Sequence, residues 1–191
     1  MHALGRNLKR ILASFVAILA SGTSVAAEYG VGISAKSDNG LIYIPVDISP
    51  TIRVEPYIRH SSSNSKQTID FVGNETTFRS NFDQLEGGLG LFGLAVPKES
   101  VRLYYGGRAS YFDSDTRSSS NALQFKQSSY GYRVIPTIGF EYLFNSHFTL
   151  GGEVGYYFEH RNVDDRSASS HRESESDVNG TESFLILRYF F

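Results

Sequence analysis

Apolar and polar residues alternate one by one along much of this chain. From residue 130 to residue 144 the even positions are all apolar or aromatic, whereas the odd positions include Arg133 and Glu141. Residues 148–159 repeat the pattern. A period of two over such lengths predicts β-strands with two chemically different faces.

The same alternation predicts eight strands, at residues 28–37, 41–48, 51–61, 80–94, 100–111, 130–144, 148–159 and 182–191. Short connections alternate with three long polar ones, which we interpret as loops, at residues 62–79, 112–128 and 160–181. The Asn39-Gly40 pair suits a tight hairpin. This arrangement predicts an all-β fold, an eight-stranded antiparallel up-and-down transmembrane β-barrel.

Three prolines lie inside the predicted strands, namely Pro45, Pro56 and Pro136. Proline has no backbone N–H and therefore removes one hydrogen bond from a strand ladder. A closed barrel has no edge strand where such a residue could lie without consequence. We therefore expect a bulge or a local break at these positions.

The two faces of the strands distinguish a membrane barrel from a soluble β-sandwich, which would bury its apolar face as a core. Aromatic residues of the apolar face gather near both strand ends, as they do at lipid interfaces. The charged residues lie on the other face. They predict a lumen charge network of Asp47, Arg53, Glu55, Arg59, Glu86, Arg102, Arg108, Arg133, Glu141, Glu153, Glu159 and Arg188. A periplasmic or secreted sandwich remains the alternative.

The amino terminus has the features of a secretory signal peptide. Arg6, Lys9 and Arg10 precede an apolar core at residues 11–20, and small residues end the segment at Ala27. The core is too short to cross a bilayer as a helix, which disfavours an uncleaved anchor. We therefore predict a signal peptide at residues 1–27 and one barrel domain at residues 28–191.

Composition narrows the possible functions. The 191 residues include no cysteine, which excludes disulfides, thiolate metal sites and thiol catalysis. The net charge of −2 becomes more negative once the basic signal peptide leaves, and this argues against nucleic acid as a partner. Mean hydropathy is −0.24, and no apolar run is long enough for a transmembrane helix. No sequence pattern predicts a cofactor or a metal ion.

One set of residues is a weak candidate for catalysis. His60 and Ser62 share the apolar face of the third predicted strand, and Asp83 has the matching parity on the fourth. The His-x-Ser spacing resembles that of lipid A deacylase barrels, in which the two residues act as base and nucleophile. Here the pair lies in the third strand and runs into a serine-rich segment, which departs from that family.

The last strand carries a second resemblance. Leu185, Leu187, Tyr189 and the terminal Phe191 alternate, as in the C-terminal strand signature that the bacterial barrel-assembly machinery reads. Together with eight strands and a signal peptide, this resembles the OmpA-type transmembrane domain and the OmpX/Ail-like small barrels of the porin superfamily.

The resemblance implies a monomeric, non-enzymatic protein of the bacterial outer membrane with a structural or surface-interaction role. Its expected partners are membrane lipid and lipopolysaccharide, the barrel-assembly machinery, and a possible surface ligand that the polar loops contact. Eight strands leave an interior just wide enough for side chains. Such an interior argues against a wide diffusion pore. The alternative functions are a narrow channel for ions or small solutes and, after that, a lipid A-modifying enzyme.

Overall fold

The computed structural model describes residues 27–35, 40–71, 74–120, 124–167 and 170–191. Apart from Ala27, the predicted signal peptide lies outside these residues. Nine strands account for nearly all of the described chain. They are β1 Glu28–Ala35, β2 Gly40–Tyr43, β3 Val46–Ser49, β4 Ile52–Phe71, β5 Asn74–Lys98, β6 Val101–Ser119, β7 Gln124–Leu143, β8 Phe148–Ser167 and β9 His171–Phe190.

The strands form one antiparallel sheet that closes on itself. Each strand from β4 onward pairs with the next, and β9 pairs back to β1, with Gly30 opposite Phe190. β2 and β3 both lie between β1 and β4, so together they fill one position in the wall. The result is the predicted eight-stranded up-and-down barrel. No helix in the described ranges is long and apolar enough to cross a membrane.

Proline interrupts the wall at two places, as expected from the sequence. The predicted strand at residues 41–48 is divided into β2 and β3 at Ile44 and Pro45, and Pro56 lies opposite this break. The Ile44 amide still donates to the Pro56 carbonyl at 3.0 Å, so the wall stays closed. The ladder between β7 and β8 skips Pro136 and resumes at Thr137 in the same register.

The two faces of the wall differ sharply. Apolar side chains on the outward face are exposed, for example Ile138 at 66% and Leu185 at 60%. These apolar side chains form a continuous band around the barrel, which we call the belt. Aromatic side chains border the belt at both ends. We define the lower girdle, at the end where β1 begins, as Tyr29, Tyr142, Phe144, Phe148, Tyr189 and Phe191, and the upper girdle as Tyr111, Tyr130, Tyr132, Tyr156 and Phe158.

The three long connections are not loops, and this part of the sequence interpretation is wrong. Residues 62–71 continue β4 and pair with the start of β5, and the segments 112–119 and 160–167 likewise continue β6 and β8. Cross-strand hydrogen bonds support them, such as Ser114 Oγ to Ser129 Oγ at 2.6 Å. These strands have water-compatible residues on both faces, so no apolar alternation marks them in the sequence.

We call the paired parts of β4–β9 beyond the upper girdle the hairpin extension, comprising the described residues within 60–84, 113–129 and 160–182. The extension is an open sheet, because the described parts of β1 and β2 pair only with the lower portions of β9 and β4. The wall is therefore low on the β1–β2 side and high on the β4–β9 side.

Candidate functional site

Inward-pointing charged side chains form two groups inside the barrel. The lower ionic cluster contains four carboxylates and four guanidinium groups: Asp47, Glu55, Glu141 and Glu153 with Arg53, Arg102, Arg108 and Arg188. Except for Arg102, each of these residues is buried. The alternating backbone of the strands places them all on the inward face, where the wall separates them from the outward apolar side chains.

Arg53 and Arg188 lie at the centre of the lower ionic cluster. Arg53 donates from Nε to Asp47 at 2.6 Å and from Nη1 to Glu141 at 2.5 Å. Arg188 donates to Glu141, and to Glu55 at 2.7 Å. Each guanidinium thus bridges two strands or more, and this ties β3, β4, β7 and β9 together through their side chains.

The upper ionic cluster lies at the base of the hairpin extension. It contains Glu86, Glu159 and Glu182 with Arg59, Arg133 and Arg161. Arg133 donates to Glu159 and, at 3.3 Å, to Glu86. Arg161 donates to the other oxygen of Glu159 at 2.5 Å. Three positive and three negative side chains make this cluster neutral, and four of each make the lower one neutral as well.

No ion pair within 4.0 Å joins the two clusters in the described part of the chain. Uncharged side chains occupy the inward positions between them. Tyr57 lies between Glu55 and Arg59 in β4, and Phe184 and Ile186 separate Glu182 from Arg188 in β9. The interior is therefore filled by two neutral ionic layers with a mainly aromatic and aliphatic layer between them.

Tyrosine and phenylalanine rings pack against the guanidinium groups. Arg188 lies 5.0 Å from the ring centres of both Tyr43 and Tyr104, and Arg108 lies 4.9 Å from that of Phe92. The Tyr104 hydroxyl donates to Glu153 at 3.0 Å. These rings cover the flat faces of the guanidinium groups while carboxylates bind their edges, and both contacts offset the loss of hydration. Nε of Arg108 and Nε of Arg188 are buried without a hydrogen-bond partner among the described residues.

Space for these rings comes from glycine on the facing strand. Four inward tyrosines lie directly opposite a glycine across a strand pair, as Tyr57 lies opposite Gly88. A Cβ added at Gly88 would lie 2.6 Å from the Tyr57 ring. The other pairs are Tyr43 with Gly32, Tyr104 with Gly139 and Tyr157 with Gly180.

All twelve residues of the predicted lumen network belong to the two clusters, eight to the lower and four to the upper. Sequence reasoning missed Arg161 and Glu182. Arg161 fell in a segment interpreted as a loop, although it shares the parity of Glu159 two positions earlier. Glu182 shares the parity of Phe184 at the very start of the last predicted strand. Extending the alternation of residues 148–159 by one residue pair would have found Arg161, and Glu182 already lay within the predicted strand 182–191.

The candidate catalytic residues are only partly brought together. His60 Nε2 lies 3.2 Å from Asp83 Oδ2 on the outward face just above the belt, and both side chains are mostly exposed. Ser62 lies opposite Asp83 in the ladder, but in the described structure its hydroxyl makes no hydrogen bond with His60. The arrangement therefore lacks the link from nucleophile to base that a Ser-His-Asp triad requires.

The outward face also carries the C-terminal pattern and an exposed ion pair. Leu185, Tyr189 and Phe191 of the C-terminal pattern point outward and are exposed, and Leu187 is half-buried. In the hairpin extension, hydrogen bonds from Arg166 hold the pKa of Asp164 below its ordinary range. Among the described residues, no group of three or more His, Cys, Asp or Glu side chains could hold a metal ion.

The chain has the fold of a bacterial outer-membrane β-barrel. A major outer membrane protein from Thermus thermophilus superposes with a TM-score of 0.59 and 16% sequence identity, over 87% of this chain and 100% of that one. Ail, the attachment invasion locus protein of Yersinia pestis, gives a TM-score of 0.48 and 12% identity over 86% and 95%. No protein-family model and no curated protein sequence matches the chain.

Proposed function

We propose that this protein is an integral, non-conducting barrel of the bacterial outer membrane that displays the hairpin extension at the cell surface in a structural or surface-interaction role. One observation carries the proposal: between the girdles, no outward position holds Asp, Glu, Lys or Arg. This applies to the outward positions within residues 29–35, 42–48, 52–58, 85–95, 101–111, 130–142, 148–158 and 185–191.

The energetics of the belt favour lipid over water as its surroundings. A Lys or Arg on the lipid face near the bilayer midplane costs about 2–4 kcal/mol, which accounts for the complete exclusion of charge there. A soluble protein would have no reason to keep such a large surface free of charge. The charged residues lie instead in the lumen, where each finds an oppositely charged partner.

The filled interior favours a structural lumen over a channel. The two ionic clusters are neutral and separate, so an ion that crosses would have to displace buried salt bridges twice and pass an apolar layer between them. Breaking a buried pair leaves an uncompensated charge, which costs about 3–5 kcal/mol. Purified protein in planar bilayers should therefore give no steady conductance, whereas regular single-channel steps would support the narrow-channel alternative.

The ends of the barrel suggest its orientation. The lower end has short turns, such as residues 99–100 and 144–147, whereas the upper end continues as the hairpin extension. Outer-membrane barrels keep short turns on the periplasmic side and long segments outside. This supports contact of the extension with lipopolysaccharide or another surface ligand.

The C-terminal strand has the pattern that is expected of a barrel inserted into the outer membrane. The alternating, outward C-terminal residues Leu185, Leu187, Tyr189 and Phe191 would be read by the barrel-assembly machinery. Because the belt is apolar around the whole wall and the wall closes on itself, a monomer has no edge in the membrane that needs a partner.

Two measurements test the proposal. Closed barrels resist SDS until they are boiled, because their hydrogen-bonded wall has no free edge in the membrane. Boiled and unboiled samples of the refolded protein should therefore migrate differently on a gel. The chain has no cysteine, so a single introduced cysteine reports on which side of the membrane its residue lies. Asn64→Cys should react with a membrane-impermeant maleimide on intact cells, whereas Ser146→Cys should react only after lysis. Equal labelling of both would contradict the orientation.

The His60–Asp83 pair is the one observation that favours an enzyme, since it resembles a base held by an acid at the depth of the lipid headgroups. Lipid A from cells that express the protein, its His60→Ala variant or neither should give the same mass spectrum. Loss of an acyl chain that depends on both His60 and Ser62 would support the deacylase alternative.

A further inference from the structure

The lumen-side face of the hairpin extension has an unusual composition. We define the upper inner face as the inward-pointing positions within residues 61–67, 78–84, 114–118 and 125–129. These positions hold seven serines, one threonine, three glutamines and three phenylalanines, and no charged residue. The outward positions of the same four segments include six charged residues, among them Lys66, Arg117 and Lys126.

The upper inner face is a built surface. Ser80 and Ser118 share a hydrogen bond at 3.1 Å, and Ser114 and Ser129 share one at 2.6 Å, so neighbouring strands hold their hydroxyl groups in fixed positions. The strand spacing makes the face about 14 Å wide, and its length along a strand is about 20 Å. It begins directly above the upper ionic cluster and ends short of the outer end of the β4–β5 hairpin, which continues to Phe71 and Asn74.

A cavity of about 420 Å³ lies at the outer end of this face, between Phe78 and Phe125. Both rings stay exposed to solvent, at 44% and 38%. Ser65, Gln67, Ser80 and Ser118 contribute to the lining. Arg79 is the one charged residue that contributes, and its place in the alternation directs its side chain toward the outer face.

We propose that the upper inner face binds an uncharged oligosaccharide. Serine hydroxyls and glutamine amides both donate and accept hydrogen bonds, as sugar hydroxyls require. An aromatic ring presents a negative face that attracts the weakly positive C–H groups on the flat side of a sugar ring. Phe78 and Phe125 offer two such rings beside a row of polar groups.

The same composition disfavours other ligands. A nucleic acid or a sulfated glycan needs several basic side chains, and the inward positions of these four segments hold none. Protein interfaces are enriched in Tyr, Trp, Phe, Met and Arg and depleted in serine, whereas seven of the fourteen positions of the upper inner face are serine and three are phenylalanine. Lipid is excluded by position, because the face begins above the upper girdle. The inference rests on the proposed function, since the extension must reach the cell exterior to meet a glycan.

Binding should be measured with the purified barrel in nanodiscs free of lipopolysaccharide, by saturation-transfer NMR and titration. The probes are maltohexaose, laminarihexaose, mannohexaose and an uncharged O-polysaccharide that is released from lipopolysaccharide and separated from its acidic, phosphorylated core, with a heparin hexasaccharide as the anionic comparison. We expect an uncharged probe to bind and the heparin fragment not to bind. Binding of the released polysaccharide alone would identify the membrane's own lipopolysaccharide as the source, and binding of the other sugars an external glycan.

Substitutions on the two faces provide the matched comparison. Phe78→Ala and Phe125→Ala should each weaken binding about tenfold, the loss expected from one aromatic contact. Lys126→Ala, next to Phe125 but on the outward face, should leave affinity unchanged. Each variant must first show the heat-dependent gel shift of the wild type, so that misfolding is not mistaken for lost binding.

Three results would overturn the inference: none of the uncharged probes binds, the heparin fragment binds better than they do, or Phe78→Ala and Phe125→Ala bind as the wild type does. Surface labelling of Asn64→Cys separates these failures from failure of the proposed function. A labelled barrel that ignores every sugar remains a surface-exposed barrel without this ligand.

Discussion

The spanning barrel and the β4–β7 part of the hairpin extension are built from the same strands, yet they distribute charge in opposite ways. Between the girdles, charges point inward and the outward face has none. Above the upper girdle, within residues 61–67, 78–84, 114–118 and 125–129 of β4–β7, the outward face carries the charges, and the inward face has only Ser, Thr, Gln and Phe. The period of two continues from the spanning barrel into the extension along β4, β5, β6 and β7, and the one register shift in these three ladders lies at the lower end of β5, between Ala95 and Lys98.

The reversal shows that solvent, and not strand geometry, decides which face is charged. Lipid surrounds the spanning part in the proposed arrangement, so ions are stable there only in the sealed lumen beside an opposite charge. Water surrounds the extension, so ions are stable on its outward face without partners. The inward face of the extension is then free to take a composition suited to a ligand. The difference between the two regions can be tested by making comparable substitutions in each of them.

Breaking the lower ionic cluster should produce the largest effect. Arg188→Met removes one guanidinium group that Glu55 and Glu141 share and leaves the buried lower ionic cluster with one uncompensated negative charge, so the free energy of unfolding in lipid vesicles should fall by about 3–5 kcal/mol. Arg188→Met combined with Glu141→Gln restores neutrality and should recover most of the loss. Arg117→Ala, on the outward face of the extension, should change the free energy of unfolding by less than about 0.5 kcal/mol. Equal losses for Arg188→Met and Arg117→Ala would contradict the comparison.

Adding a charge to each outward face gives the next largest effect. Ile138 lies midway between the girdles and is 66% exposed, so Ile138→Arg should destabilise the barrel by about 2–4 kcal/mol in bilayers. Asn81→Arg places the same charge on the outward face of the extension and should cost less than about 0.5 kcal/mol. The pair should be compared by denaturant titration in the same vesicles. Similar costs at the two sites would mean that lipid does not surround the belt.

The sequence was sufficient to predict the spanning barrel because there each face has one kind of solvent. Apolar alternation located eight strands and placed twelve charged residues on the lumen face. It failed in the extension, where Ser61, Ser63 and Ser65 alternate with Ser62 and Asn64 and both faces are polar. A strand wet on both sides has no hydrophobic period, so its pairing could be found only in three dimensions.

The packing of the lumen was also hidden from the sequence. Alternation placed Tyr57 and Gly88 on the inward face, but it did not show that they lie opposite each other. Their contact depends on the register between β4 and β5, which is set by the whole ladder. The same holds for the division of the charges into two neutral clusters, since neutrality of each cluster depends on which strands meet at which height.

Two neighbouring glycines allow this packing to be measured. A Cβ at Gly88 would meet the Tyr57 ring at 2.6 Å and the carbonyl oxygen of Ala109 at 2.5 Å, so the backbone itself would have to shift. Gly88→Ala should therefore destabilise the barrel by about 1–3 kcal/mol, as overpacked cores do. Gly87 faces outward with nothing within 4 Å, and Gly87→Ala should change stability by less than about 0.5 kcal/mol. If the two variants unfold alike, the lumen is not tightly packed at this height.

The smallest effect concerns ions that stay in water. Arg166 donates to Asp164 at 2.7 Å on the exposed end of β8, and these hydrogen bonds lower the pKa of the carboxyl group. A lowered pKa means that the contribution of the pair is present at neutral pH and is lost as pH falls through the folded-state value. NMR titration of the Asp164 carboxyl carbon should give a pKa below the ordinary Asp value, and Arg166→Gln should raise it toward that value. Because the pair is exposed to water and screened by salt, high salt should also raise the pKa of Asp164 in the wild type. A pKa that does not change with salt would show that even this end of the extension is shielded from water.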